Sequence, residues 1–286
     1  MSNVLLLRAP SYDGPDKYEQ AFSANAYHPL CVPVLETVLV GLSGLRSVIQ
    51  DGPNIFGGVI VTSARSCEAW REVVSQIMQD APEASRPDWS TLPFYVVGAA
   101  TASALSSIRT TVPHAGTLAP TNIRGADSGT GEKLAHFILD DLAPGAPRRL
   151  LYLTGDKNRD VLPGVLRDGG VALESLQVYA TQGSSAFAAD LEGAINSVPS
   201  ERKDRDWWIV FFAPSAAEFV TPTLRKHFAI PDVDAQTFAA KIAAIGPTTS
   251  TFLHDKLNMR VDVLSPKPSP EALAAAVQDF DARGKT

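Results

Sequence analysis

Five short turns carry most of the residues able to do chemistry. They are Thr62-Ser63-Ala64-Arg65, Gly98-Ala99-Ala100-Thr101, Thr154-Gly155-Asp156-Lys157, Ala213-Pro214-Ser215 and Gly246-Pro247-Thr248-Thr249. Each follows a short apolar run and precedes a helical pattern. In an open parallel sheet that is where free backbone N–H groups and helix N-termini face a ligand. Hydroxyls and amides dominate the turns, and carboxylates and histidines are scarce, a composition suited to gripping a polyanion through many hydrogen bonds. Ser and Thr at these positions also cap the helices that follow, and a capped helix start still points amides outward. Arg8, Arg65, Lys157 and Arg159 stand close enough in sequence to the same strand ends to add cations at a rim, although each side chain taken alone would suit a solvated surface equally well.

Other chemistries lack their residues. His28, His114, His136, His227 and His254 show no metal-binding spacing, and two cysteines, Cys31 and Cys67, each in an apolar pattern, read as buried structural thiols. The stretch from Gly125 to Lys133 looks like a phosphate loop but lacks the Gly-Lys-Ser/Thr ending, and its Gly129-x-Gly131 is followed by Glu132 instead of leading to a third glycine. No Gly-x-Ser-x-Gly elbow occurs. The expectation is a site without metal or cofactor.

The elements that must position these turns are legible as apolar runs: Val4–Leu7, Val59–Val61, Tyr95–Val97, Leu150–Leu153, Leu176–Val178, Ile209–Phe212, Ile242–Ile245 and Val261–Leu264. They are continuous where half-exposed strands would alternate, so they read as buried parallel strands. Helical stripes follow at Cys67, Trp70, Val73, Val74 and Ile77, at Val161, Leu162, Val165 and Leu166, and, after Ser269-Pro270, at Leu273, Ala276, Val277 and Phe280. The stretches Asp80–Thr91, Thr110–Ser128 and Gln182–Arg205 read as loops or insertions.

The two halves echo one another. The Val59–Trp70 stretch parallels Ile209–Phe219, Phe94–Ser103 parallels Lys241–Ser250, and Gly129–Ala135 parallels Pro268–Ala274. Each unit needs one opening strand, which Leu150–Leu153 supplies to one and the distant Val4–Leu7 to the other. The fold class expected is therefore α/β: two doubly wound parallel-sheet domains of similar build, joined by two crossing strands near Val34–Thr37 and Tyr179–Thr181, with a cleft between them. Domain 1 would be discontinuous, residues 1–35 plus 183–286, with residues 38–179 inserted as domain 2.

At 286 residues and 45% apolar composition the chain has material for two ordinary cores. A net charge of −6 argues against a nucleic-acid or anionic-membrane partner, and no apolar run approaches a membrane span or signal peptide. A cytoplasmic monomer is the expectation.

Several blocks, taken in order, resemble the uroporphyrinogen-III synthase family: Pro33-Val34-Leu35-Glu36, Val61-Thr62-Ser63-x-Arg65, Val96-Val97-Gly98-x-Ala100-Thr101, Glu132-Lys133-Leu134-Ala135, Leu162-Pro163, Val178-Tyr179-x-Thr181, Phe211-Phe212-x-Pro214-Ser215, Ala244-Ile245-Gly246-Pro247-Thr248-Thr249 and Pro268-x-Pro270-x-Ala272-Leu273. The likeness runs from about Val4 to Phe280. It implies a cofactor-free lyase whose substrate, hydroxymethylbilane, is a linear tetrapyrrole with eight carboxylates. Water is lost from the terminal hydroxymethyl group, the far ring attacks at its own substituted carbon, and the resulting spiro intermediate reopens and recloses with that ring inverted.

By the same resemblance Tyr179 matches a hinge tyrosine that donates to the leaving hydroxyl, and Thr101 and Thr248 match threonines that bind substrate carboxylates or the leaving oxygen. Arg8, Thr62, Ser63, Arg65, Gly98, Thr154, Gly155, Lys157, Arg159, Pro214, Ser215, Gly246 and Pro247 would bind substrate. Ala213 stands where some members have a serine, and Thr130-Gly131 replaces the commoner Asn-Ala. A non-catalytic, two-domain anion-binding or sensor protein is the alternative that uses the same architecture.

Overall fold

The computed structural model describes residues 2–284 apart from 12, 81–85, 158–160, 203–204 and 234–239. In chain order the elements are β1 (Asn3–Leu7), α1 (Lys17–Ala24), β2 (His28–Cys31), β3 (Leu35–Leu39), α2 (Leu42–Asp51), β4 (Gly58–Val61), α3 (Ala64–Asp80), β5 (Phe94–Val96), α4 (Ala99–Ser106), α5 (Ile108–Thr111), β6 (Ile123–Arg124), α6 (Gly131–Asp141) and β7 (Arg149–Thr154). They continue through α7 (Val161–Asp168), β8 (Ala172–Gln177), β9 (Tyr179–Gly183), α8 (Phe187–Ser197), β10 (Trp207–Phe211), α9 (Pro214–His227), β11 (Lys241–Ala244), α10 (Pro247–Leu257), β12 (Val263–Leu264) and α11 (Pro270–Arg283). Two compact units result, Met1–Glu36 with Gln182–Thr286, and Thr37–Thr181.

In the first unit five parallel strands run in the order β12-β11-β10-β1-β2, with Leu5 beside Ile209 and Ile209 beside Ile242. The N-terminal strand thus lies in the sheet of the C-terminal half, as the missing opening strand requires. Its side chains alternate between two cores. Leu5 and Leu7 join Val220, Leu224 and Leu253 beneath α8, α9 and α10, while Val4 and Leu6 join Phe22, Leu273 and Val277 beneath α1 and α11. Burial on both faces is why the strand is apolar throughout. One polar cluster ties this unit: Asp281 accepts from Tyr27 Oη at 2.8 Å, Trp208 Nε1 at 3.1 Å and Lys241 Nζ at 2.6 Å.

The second unit repeats the plan with parallel strands ordered β6-β5-β4-β7-β8 and Val59 placed between Phe94 and Leu151. Below one face Trp70 packs edge-on against Trp89 and Phe94, with centroids 5.2 and 5.0 Å away, and donates from Nε1 to the Leu118 carbonyl at 3.1 Å. Below the other face Ile60, Leu150 and Tyr152 meet Leu134 and Ile138 of α6 and Leu162 and Leu166 of α7. Strands β3 and β9 pair as a separate two-stranded sheet.

Several local expectations need correction. Gln182–Arg205 is not a loop: α8 occupies its middle and buries Phe187 and Leu191. Thr110–Ser128 contains the short strand β6. The strand expected at Leu176–Val178 is Ala172–Gln177, an edge strand whose polar residues break the apolar run. Cys67 is buried but Cys31 is only half-buried, on edge strand β2, where Pro29 is tolerated because no further strand needs its missing N–H. Among the described residues no helix is long and apolar enough to cross a membrane.

Candidate active site

In the Thr37–Thr181 unit the carboxyl ends of β4, β5 and β7 open on a cavity of about 480 Å³, a size usual for small-molecule sites. Thr62 and Ser63 reach it from the turn after β4, Val97 from the end of β5, and Tyr152 and Lys157 from β7 and the segment after it. Thr130, Gly131 and Glu132 at the start of α6, Val161 and Leu162 at the start of α7, and Tyr179 at the start of β9 complete the lining.

Local hydrogen bonds fix this edge. Ser63 Oγ accepts from the Ser66 N–H at 3.2 Å, capping the first turn of α3, and Ser66 Oγ donates to the Leu153 carbonyl at 3.1 Å, tying that turn to β7. Thr130 Oγ1 accepts from the Lys133 N–H at 3.2 Å and caps α6. Both helices therefore start beside the cavity with their positive ends toward it. Thr154 Oγ1 donates to the Gly155 carbonyl at 3.0 Å. A Cβ on Gly155 would overlap the Tyr179 ring, so the absence of a side chain there lets the tyrosine lie against the backbone.

Tyr152 is 5% exposed. Burial raises its phenol above the ordinary value, a hydrogen bond with Thr62 pulls the other way, and the adjacent Tyr179 adds to the rise. The phenol is thus held neutral through the neutral pH range. Among the described residues Lys157 is the cation in the lining and Glu132 the acid. The lining accordingly combines apolar Val97, Val161 and Leu162 with the hydroxyl donors Thr62, Ser63, Tyr152 and Tyr179. Such an arrangement can hold a flat, partly apolar ring while hydrogen-bonding an oxygen at its edge.

The expected residues divide into those brought together and those placed elsewhere. Thr62, Ser63, Lys157 and Tyr179 share the cavity, with Thr154 and Gly155 buried in the strand end behind them. Gly98 is the N-cap of α4. Arg65 is exposed on α3 and pairs with Glu68 at 3.1 Å. Thr101 is 7% exposed and outside the lining, its carbonyl accepting from Cys67 Sγ at 3.7 Å. Burial pushes the Cys67 thiol up to about 12. Arg159 lies outside the described residues.

In the other unit Arg8 follows β1, is bonded to the buried Asp16 at 2.5 Å and lies 5.0 Å from the Tyr18 ring centroid. Pro214 and Ser215 open α9, and Gly246, Pro247 and Thr248 open α10, with Ser215 and Thr248 exposed.

Tyr152, Val97, Thr130, Gly131, Glu132, Val161 and Leu162 were not among the site residues expected. For Tyr152 the one usable signal was a hydroxyl-bearing aromatic two residues before Thr154 on the strand. For Glu132 it was the capping pattern at the start of α6. Among the described residues no three His, Cys, Asp or Glu side chains gather as they would around a metal ion.

The model of the family described as "Uroporphyrinogen-III synthase HemD" matches residues 16–275. The uroporphyrinogen-III synthase of Schizosaccharomyces pombe is 32% identical over 282 residues, 98% of this chain and 98% of that protein. That of Saccharomyces cerevisiae is 28% identical over 271 residues, 92% of this chain and 91% of the relative. A solved uroporphyrinogen-III synthetase from Helicobacter pylori 26695 aligns over 98% of this chain and all of that one at 15% identity, with a TM-score of 0.45, too loose a superposition to add to these sequence matches.

Proposed function

The chain belongs to the uroporphyrinogen-III synthase family, and on that premise we propose that the cavity lined by Tyr179 is where the leaving hydroxyl of hydroxymethylbilane is engaged. The protein is a lyase of tetrapyrrole biosynthesis, and the match over residues 16–275 leaves the non-catalytic reading without support. Its reaction removes hydroxide from the terminal hydroxymethyl carbon and, at the end, a proton from the inverted ring's formerly free carbon, a net loss of one water.

The chain's own residues have two tasks in this reaction. One is to hold the substrate's ends in the single geometry that leads through the spiro intermediate, since the free substrate closes in water without inversion. The other is to favour departure of hydroxide by hydrogen bonding the oxygen as negative charge develops on it. Tyr179 Oη is our choice of donor for the second task. Thr62, Ser63 and Lys157 meet carboxylates or the same oxygen, and apolar Val97, Val161 and Leu162 face the pyrrole. Arg8, Thr248 and Ser215 are our choices of carboxylate-binding groups within the other unit, and Thr101, buried near the start of α4, keeps the hydrogen-bonding role that the family resemblance gives it. We place the reaction in the cytoplasm, carried out by a monomer without metal or added cofactor.

The observation that carries the site assignment is that Tyr179 shares one cavity with Thr62, Ser63 and Lys157 at the carboxyl ends of the strands. Steady-state kinetics of Tyr179 variants on freshly made hydroxymethylbilane test it. Undiminished type III formation by Tyr179→Phe would remove the role.

A further inference from the structure

Tyr152 faces the same cavity from strand β7, between β4 and β8. Its ring is packed in the core formed with α6 and α7, which limits how far the hydroxyl can move. The register sets Ile60 of β4 beside Tyr152, so Thr62, two residues further on, projects from the same face, and its side chain acts on the Tyr152 phenol against the effect of burial. Two hydroxyls carry two protons, and a bond between them uses one. Whichever way such a bond runs, one O–H remains for an oxygen in the cavity that both residues line. Tyr179 lies on the same lining.

We propose that the Tyr152–Thr62 pair supplies a second hydroxyl donor to the oxygen that Tyr179 engages. Two donors suit an oxygen leaving as hydroxide, because the charge that develops on it can take up more than one hydrogen bond as the carbon–oxygen bond breaks. The leaving oxygen gains negative charge during that step while the pyrrole–methylene carbon gains the matching positive charge, so donors aimed at the oxygen lower the barrier more than they tighten binding. No atom is transferred to Tyr152 or Thr62: the hydroxide takes its proton at the Tyr179 end, and the pair stabilises it through a hydrogen bond. Burial of the Tyr152 phenol keeps its proton in place for this purpose. This inference rests on the reading of the cavity as the site where hydroxide departs.

The experiment measures kcat and KM for type III formation, with isomers separated, in wild type, Tyr152→Phe, Thr62→Val, Thr62→Ser and the Tyr152→Phe/Thr62→Val double variant. Tyr152→Phe keeps the ring, so its melting temperature should stay within a few degrees of wild type. Each hydroxyl-deleting single should lower kcat about tenfold and leave KM within about twofold, the pattern of an interaction made in the transition state. Thr62→Ser, which keeps the hydroxyl, should retain near-normal kcat. Because the pair acts as one donor, the double variant should be no slower than the poorer single.

A Tyr152→Phe enzyme with wild-type kcat, or single-variant losses that multiply in the double, would overturn the proposal. A rise in KM alone would also overturn it, by making the pair a carboxylate anchor. Wild type that yields only the type I isomer would instead defeat the underlying family reading, so the two failures are distinguishable.

Discussion

Gly155 and Tyr179 occupy the same space to within a methyl group: a Cβ on the glycine would overlap the tyrosine ring. The end of β7 and the start of β9 are thereby locked together, and the position of the phenol is set by a residue without a side chain. Gly155→Ala must either push the ring into the cavity or shift the strand end. Overpacking of this kind costs roughly 1–3 kcal/mol. The expected outcome is a melting temperature lowered accordingly and a loss of type III turnover larger than the loss of stability explains. Wild-type kcat in Gly155→Ala would show that the ring's placement does not matter to the reaction.

Removing the Tyr179 hydroxyl while keeping its ring should cost one to two orders of magnitude in turnover, roughly 1.4–2.7 kcal/mol, with folding nearly intact. Thr248→Ala, one exposed contact among many, should cost less than that, about 1 kcal/mol. Thr101→Ala, at a buried position, should show its effect first in the melting temperature. Initial rates beside thermal melts for the three variants check this ordering. Near-normal turnover in Tyr179→Phe with most activity lost in Thr248→Ala would move the donor role to the other unit.

Asp281 carries the polar cluster of the first unit. Burial pushes its carboxyl up, but hydrogen bonds from Lys241, Trp208 and Tyr27, with the Lys241 charge, outweigh burial and hold it below the ordinary range. A carboxylate whose folded value is depressed contributes stability that is present above its unfolded value, about 3.9, and lost as pH falls through the folded value. Asp281→Asn should therefore destabilise the protein by about 1–3 kcal/mol at neutral pH, and the gap to wild type should close as the pH is lowered below about 4. Urea melts across pH 3–7 make the comparison. A gap independent of pH would mean that the carboxylate charge contributes nothing.

The fold was legible where burial on both strand faces left continuous apolar runs, as at Val4–Leu7, Val59–Val61 and Ile209–Phe212, and where the two halves repeated each other. It was illegible where edge position relaxed that demand. Strand β8 carries Glu174 and Gln177 because it has a neighbour on one side only, and β2 accommodates Pro29 for the same reason. Helix α8 was hidden by its Gly- and Ser-rich surroundings, although Phe187, Leu191, Ala194 and Ile195 keep helical spacing. Turns such as Thr62-Ser63 announced themselves by residue type and by their place after a strand. Tyr152 did not, because inside Leu150-Leu151-Tyr152-Leu153 a tyrosine reads as one more core residue. Only the ends of neighbouring strands decide whether its hydroxyl meets leucine or a cavity. For Arg8 the place after β1 was legible but the partner was not, since Asp16, eight residues on and 2.5 Å away, shares its charge.

The central claim is that this chain closes hydroxymethylbilane with inversion of the terminal ring. The purified protein, with a chelator present and no cofactor added, should be mixed with freshly prepared hydroxymethylbilane. The products are then oxidised and their type I and type III isomers separated against a protein-free control. The account predicts type III as the dominant product at a rate proportional to protein concentration, while the control gives type I. Type I alone in both samples would contradict it.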